Sequence, residues 1–389
     1  MPQKKIRVGL FCRVLPHYRV PIYERLAEVD DINLMVYYSR EPGYYTLKTV
    51  DPGDRFPNRR IRMKALRFGG QEVLFQPQMK RIVRSAGHDV VVFHANIRLM
   101  SIYPALWAAR RRNIGTVWWS IGLMAGKSSL RLAISARLMR LADAVALYTR
   151  TAKRYFVGRG LPERGVFVAR NTVDIATERE ASRHWPRAAA QQFLSEHGLS
   201  GRRVFLFCAR LTPGKRLDLL LDAMVLLVGR AQDCHLVVIG TGELEMKLKA
   251  RAAALCLQDR ISWLGAVYER ERLAPWYASC QALVIPGAVG LAALQGFGYG
   301  VPCITHSDPH HQSPEFEAVV DGFNALLYRR GDVTDLADRM CAISENAELR
   351  ERLATNAVRT MEETYTVDHM VDGLRDAIRF AHAQHARGL

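Results

Sequence analysis

Twice along this chain, short uninterrupted apolar runs alternate with stretches of helical spacing, and between the two series the alternation stops. A strand apolar at nearly every position is covered on both faces, the condition of a strand in a parallel sheet with helices above and below it. In the first half such strands are expected at residues 6–12, 33–38, 89–94, 115–120, 143–148 and 165–169. Helices are expected across 20–27, 73–85, 99–111, 130–141 and 149–157, with Pro21 suited to a first helical turn. Residues 41–63, rich in Gly, Pro, Tyr and Arg, read as loops. From 171 to 200 the chain turns polar, with one helix expected over 185–198. The alternation then restarts, with strands at 204–209, 235–239, 261–264, 281–285 and 302–305, and helices at 217–228, 243–255, 273–279 and 291–300. Helices at 336–343, 349–365 and 367–385 follow. The expectation is an α/β chain of two doubly wound, Rossmann-like domains, 1–172 and 201–366, joined by a linker at 173–200, with the C-terminal helix 367–389 packing back on the first. A length of 389 residues suits two such domains.

Composition narrows the class further. With 49% hydrophobic and 24% charged residues and no low-complexity tract, the chain is globular. Its seven cysteines are scattered singly, with no Cys-x-x-Cys pair, and read as small buried residues in a reducing compartment. The first strand follows Met1-Pro2-Gln3-Lys4-Lys5 directly, and no apolar run approaches the roughly 18–20 residues that span a bilayer. The expected location is cytoplasmic, or peripheral on the inner face of the membrane. A net charge of +17 asks for an anionic partner. Cations gather at Arg110-Arg111-Arg112 and at Arg131, Arg137 and Arg140, without a recognition-helix, zinc or aromatic RNA-binding pattern. An anionic membrane surface is the preferred partner over a merely soluble basic face, and nucleic acid is not expected.

Ligands of open α/β sheets bind beyond the carboxyl ends of the strands, so the turns there carry the chemistry. The first is Ala209-Arg210-Leu211-Thr212-Pro213-Gly214-Lys215, which can aim a guanidinium and an ammonium at one anion. A solvated pair of loop cations is the alternative. The second is Ile239-Gly240-Thr241-Gly242-Glu243, whose glycines allow close backbone approach to a ligand or make a plain tight turn. The third is Pro286-Gly287-Ala288-Val289-Gly290-Leu291-Ala292, where a helix begins and its unpaired amides face the same crevice. Gly296, Gly298 and Gly300, in or ending that helix, suggest close packing or an early stop.

These turns, in this order, together with Trp263-Leu264-Gly265 and Glu317-Ala318-Val319-Val320-Asp321-Gly322, resemble the C-terminal half of the family 4 retaining glycosyltransferases of GT-B fold, of the bacterial surface-polysaccharide type. Asn171-Thr172-Val173-Asp174 is similar to that family's Asn-Gly-Val-Asp linker motif, with Thr172 for glycine, and Ala325 stands where a second glycine is usual. The resemblance covers about Asn171 to Tyr365 and is looser before it. It implies two domains facing a central cleft, and transfer of a sugar from a nucleoside-diphosphate sugar to a glycan or lipid-linked acceptor with retention. It implies no cofactor and no metal. Arg210 and Lys215 would hold the donor diphosphate, and backbone around Gly290, Leu291 and Ala292 would cradle it. Turns at Gly240, Gly242 and Leu264 would frame the nucleoside. In the first half, the resemblance implies that His94 faces the donor sugar, a buried histidine with its hydrogen bonds satisfied being the alternative; His17 and Arg19, after the first strand, are read as facing acceptor or donor, and Trp118, Trp119 and Ser120 end a strand where an indole either stacks on a sugar or packs in the core.

Two positions depart from the family pattern. Its two glutamates eight positions apart are here Gly287 and Gln295. Gln295 still offers an amide to ribose hydroxyls; Gly287 offers nothing, and Asp308, His310, His311 or Glu317 is expected in its stead. Two other readings therefore stay open: a degenerate protein that binds nucleotide sugar without transfer, and a sugar-nucleotide epimerase of the same fold. The loop bracketed by Gly122 and Gly126 is expected to close on the acceptor.

Overall fold

The computed structural model describes residues 4–40, 49–68, 71–123, 126, 128–230 and 233–386. Part of the loop expected over 41–63, part of the loop at 122–126 and the end of the helix expected to reach 389 lie outside the described residues. The chain forms two compact units, the first made of residues up to 123, 127–171 and those from 367 onward, the second of 124–126 and 172–366.

The first unit is built from β1 (Ile6–Phe11), α1 (Val20–Ala27), β2 (Ile32–Tyr38), β3 (Asn58–Arg60), β4 (Lys64–Phe68), β5 (Gln71–Phe75), α2 (Met79–Ser85), β6 (Val90–His94), α3 (Ile102–Arg111), β7 (Gly115–Ser120), α4 (Ser129–Met139), β8 (Ala144–Leu147), α5 (Arg150–Val157) and β9 (Val166–Val168). Seven strands make one parallel sheet in the order β3-β2-β1-β6-β7-β8-β9. Side chains alternate across it. Val8, Leu10, Val90, Val92, Val117 and Trp119 pack beneath α1 on one face. Phe11, Val91, Phe93, Trp118 and Val145 pack beneath α2, α3, α4 and α5 on the other.

The second unit holds α6 (Ile175–Arg183), α7 (Arg187–Glu196), β10 (Arg203–Cys208), α8 (Leu217–Gly229), β11 (Cys234–Ile239), α9 (Glu245–Ala254), β12 (Ile261–Gly265), α10 (Arg270–Ser279), β13 (Ala282–Val284), α11 (Leu291–Gly298), β14 (Cys303–His306), β15 (Ala325–Tyr328), α12 (Val333–Glu345) and α13 (Ala347–Thr364). Its six strands are again parallel, in the order β12-β11-β10-β13-β14-β15. The order reverses at β10 and β13, so the ends of these strands bracket the crevice where such sheets bind ligands. α14 (Val367–Ala386) then joins the first unit, burying Met370, Leu374, Ala377, Ile378 and Ala381 in the core beside α1.

Three expectations are corrected. The helix expected over 73–85 begins only at Met79, because the residues before it pair as the antiparallel hairpin β4–β5. The loops expected over 41–63 contain the edge strand β3. The segment expected as a linker at 173–200 supplies α6 and α7, whose Leu194, Ala181 and Trp185 pack against Trp276 and Tyr277 of α10 in the second unit's core. No helix of the described residues is long and apolar enough to cross a membrane.

Candidate functional site

The turn after β10 is tied to its neighbours through the backbone. Ala209 N donates to Ile239 O at 3.0 Å and Leu211 N to Thr241 O at 3.0 Å, while the Leu211 side chain is buried. A single 3-10 turn, Pro213–Lys215, follows, and Arg216 takes a left-handed conformation (φ 52°) that starts α8. This swings the Lys215 side chain back over the loop that precedes α11. Its ammonium donates to the carbonyl oxygens of Ala288 and Val289, the latter at 2.9 Å. Burial lowers the Lys215 ammonium to about 8; the Glu315 carboxylate opposes that shift and Arg210 adds to it. Arg210 is thus an electrostatic neighbour of Lys215, exposed at the mouth of the same turn. An ammonium has three N–H donors, and the two carbonyls account for two.

The loop that receives Lys215 is held from four sides. Gly287 N donates to Lys215 O and Ala288 N to Gly214 O, each at 3.0 Å, a short ladder between the two turns. Tyr328 Oη donates to Pro286 O at 2.7 Å, and Thr305 Oγ1 to Gly287 O at 3.2 Å. The buried Gln312 amide accepts from Val289 N at 2.9 Å and donates to Thr305 Oγ1 and His306 O at 2.9 Å each. Gly290 then caps α11 at φ 71°, ψ −164°, and Leu291 and Ala292 open the helix with half-buried side chains. Lys215 and the start of α11 therefore meet, with Arg210 an electrostatic neighbour of Lys215. Lys215 brings a positive charge to a helix start whose first amides have no partner within the helix.

Gly287 is dictated by this ladder. A Cβ there would sit 2.1 Å from Gly214 O and 2.8 Å from the Lys215 carbonyl carbon, so no side chain of any kind fits. The second glycine turn has a similar cause. A Cβ on Gly240 (φ 144°) would meet Ala209 O at 2.0 Å, and one on Gly242 would meet Leu211 O at 2.3 Å. The close approach expected there toward a ligand is made first by the backbone of the Arg210 turn. Gly240 N also donates to Gly265 O at 2.7 Å, which brings the Leu264 turn alongside.

Gln295 has partners within its own unit. Its Oε1 accepts from Tyr277 Oη at 3.4 Å, and its side chain hydrogen-bonds Glu178. Glu178 is buried on α6, and burial lifts its carboxyl to about 7 against an ion pair with Arg270 at 3.5 Å. Tyr277 stacks on Tyr299 at 4.5 Å to complete this cluster. Of the residues expected to stand in for Gly287, Asp308 caps its own turn, accepting from His310 N at 3.0 Å and pairing with His311 Nδ1 at 2.7 Å. Glu317 is half-buried two residues beyond the buried Glu315. Glu315, Gln312, Thr305 and Tyr328 were not singled out beforehand. A lone Gln or Tyr in a loop or strand carries no sequence signal, and only the fold shows that they hold one turn.

In the first unit, three of the residues with expected ligand roles, Arg19, His94 and Trp119, form an internal network. Arg19 is only 4% exposed. Its Nη2 donates to Tyr148 Oη at 2.7 Å and Asn171 Oδ1 at 2.6 Å, and its guanidinium lies 5.3 Å from the centres of the Trp119 and Tyr148 rings. Asn171 of the Asn-Thr-Val-Asp motif is thus a structural partner of Arg19. Trp119 is fully buried, packed between Tyr23 and the stacked ring of His94 at 4.5 Å, so it is a core residue and not a sugar platform. His94 Nε2 lies 3.0 Å from Tyr148 Oη. Burial, with the charges of Arg19 and Arg13, lowers His94 to about 3, so the imidazole is neutral. His17 is exposed, edge-on to Tyr18 at 5.5 Å.

The family model described as Glycosyl transferases group 1 matches residues 191–360. Among characterised relatives, α-D-kanosaminyltransferase of Streptomyces kanamyceticus is 23% identical over 198 residues, 49% of either chain. D-rhamnosyltransferase WbpZ of Pseudomonas aeruginosa is 33% identical over 126 residues, 31% of either chain. The match therefore spans about half or less of these relatives' length. The crystal structure of Anabaena Alr3699/HepE in complex with UDP and glucose superposes with a TM-score of 0.73 at 15% identity, covering 96% of this chain and 99% of that one. The two parallel-sheet units are those of the GT-B fold. Residues 191–360, the stretch similar to the glycosyl transferases group 1 model, carry the Arg210–Lys215 turn, the Gly287 loop and α11.

Proposed function

We propose that this chain is a glycosyltransferase that moves a sugar from a nucleoside-diphosphate sugar to a glycan or lipid-linked acceptor, with retention at the anomeric carbon and without a metal. The observation that carries the reading is the meeting of Lys215 with the loop that opens α11 at a strand-end crevice, with Arg210 its electrostatic neighbour on the same turn. Breaking the bond between the sugar and the diphosphate leaves negative charge on the departing phosphate oxygen. Lys215, held over the loop by Ala288 and Val289, and the guanidinium of Arg210 offset that charge, and the first amides of α11 donate to the same group. The donors are fixed by the Gly214–Gly287 ladder before substrate arrives, so little reorganisation is needed. The solved relative holding UDP and glucose supports a nucleotide-sugar donor. The Gly240 and Leu264 turns are assigned to the nucleoside side of the donor. Neutral His94 is suited to accept or donate a hydrogen bond, not to carry charge.

Calorimetry with nucleoside diphosphates tests the site. Lys215→Ala and Arg210→Ala are each expected to weaken binding by about 1.5–3 kcal/mol, the scale of a charged hydrogen bond. Wild-type affinity in both variants would remove the phosphate assignment. The sealed position 287 favours a second reading, binding of the nucleotide sugar without transfer. Release of nucleoside diphosphate from donor sugar, with or without added acceptor, separates the two: the proposed function requires it, and binding alone yields none.

A further inference from the structure

The helices α2, α3, α4 and α5 succeed one another over one face of the first unit's sheet, as the crossovers into β6, β7, β8 and β9 require. None of the four contains an aspartate or a glutamate. Between residues 73 and 162 the acids are Asp89 and Asp143, which sit just before β6 and β8 and are engaged by Arg7 and Thr116. The outward positions carry cations instead, among them Arg81 and Arg84 on α2, Arg110 and Arg111 on α3, and Arg131 and Arg137 on α4, all exposed. The same surface bears large apolar side chains that nothing in the unit covers: Leu130 is 69% exposed, Ile134 44% and Trp107 51%. On α4, Leu130, Ile134 and Arg137 follow at helical spacing and share one stripe. On α3, the Trp107 ring lies 3.9 Å from the Arg111 guanidinium and 5.5 Å from the Lys80 ammonium. An indole set among cations beside bare aliphatic residues is the composition of a water–lipid interface.

We propose that this face docks the chain onto an anionic lipid bilayer, its arginines drawn to the headgroups while Leu130, Ile134 and Trp107 enter the interfacial layer. A soluble polyanion such as RNA would satisfy the cations, but it would leave exposed aliphatic side chains without a purpose. The bilayer accounts for both features. The inference is independent of the reaction, because docking needs no nucleotide.

Co-sedimentation of the full chain with vesicles tests it, using phosphatidylcholine alone and phosphatidylcholine mixed with phosphatidylglycerol. Sedimentation with the mixed vesicles only is expected. Arg131→Ala with Arg137→Ala should weaken that binding about 30-fold, from the contribution of each cation near a charged surface. Leu130→Asp with Ile134→Asp should lose it while keeping the wild-type melting temperature, since both side chains are exposed. Lys247→Ala with Arg272→Ala, on exposed positions of the second unit, makes the same change of charge and should cost far less. Equal binding to uncharged vesicles would overturn the proposal, as would equal losses from the two charge pairs. Capture by single-stranded RNA in preference to vesicles, unchanged by the two aspartates, would overturn it in favour of nucleic acid.

Discussion

Replacing Gly287 by alanine probes the ladder on which the candidate site stands. The added Cβ would lie 2.1 Å from Gly214 O, so the two turns must part by about 1 Å to reach an ordinary carbon–oxygen contact. That opening breaks the bonds from Gly287 N to Lys215 O and from Ala288 N to Gly214 O, both now 3.0 Å. Two backbone hydrogen bonds are worth about 2 kcal/mol together, and drawing Ala288 and Val289 away from the Lys215 ammonium adds about 1 kcal/mol. A loss of about 3 kcal/mol should lower the melting temperature of a unit this size by about 6–12 °C. Nucleoside diphosphate affinity should fall at least about tenfold, because Lys215 no longer has a fixed place beside α11. Gly214→Ala is the matched control. A Cβ there meets nothing within 4 Å, so its melt should stay close to wild type. Thermal melts and calorimetry with whichever of UDP or GDP stabilises the wild type measure both effects. A Gly287→Ala protein that melts and binds like the wild type would refute the account of the ladder. The same geometry says that Gly287→Glu, which writes in the family's usual acid, should damage the site and not restore it.

Two further outcomes follow from the burial of particular groups. Lys215, lowered to about 8, is charged below that pH and neutral above it, and an anion binds the charged form. Diphosphate affinity should therefore hold below pH 8 and then fall by up to about tenfold per unit as pH rises; a flat profile from pH 7 to about 9.5 in calorimetry would contradict it. Trp119→Ala should destabilise the first unit by about 3–5 kcal/mol, the cost of emptying a buried aromatic site. A near-normal melt with only a raised KM for acceptor would return Trp119 to the role of a sugar platform.

The strand rhythm was legible because parallel strands covered on both faces are apolar runs, as in Val90–His94 and Cys234–Ile239. The turns that carry the candidate site were legible because strand ends in such sheets are where ligands bind, and Arg210 and Lys215 stand out in one of them. The hairpin β4–β5 was hidden, since Lys64-Ala65-Leu66-Arg67 shows no regular apolar alternation and Leu74 falls in step with the helix that follows. Arg19 illustrates a different limit. A cation after the first strand looks like a ligand group, and only packing reveals that Tyr148 and Asn171, far along the chain, hold it in the interior. Gly287 looked like a missing acid for the same reason, because its contact with Gly214 spans a distance in sequence that no local pattern reports.

The placement of α14 has a consequence for how the molecule is made. Everything the core of the second unit needs lies within 172–366 and has been synthesised by the time α13 is complete. The first unit is begun earlier but finished later: the sheet face that holds β1, β6 and β7 stays open to water until Met370, Leu374 and Ile378 leave the ribosome. The chain should thus settle its later-encoded half first, and an early stop after Thr366 should spare the diphosphate-side unit while leaving the other with an exposed apolar sheet that invites aggregation.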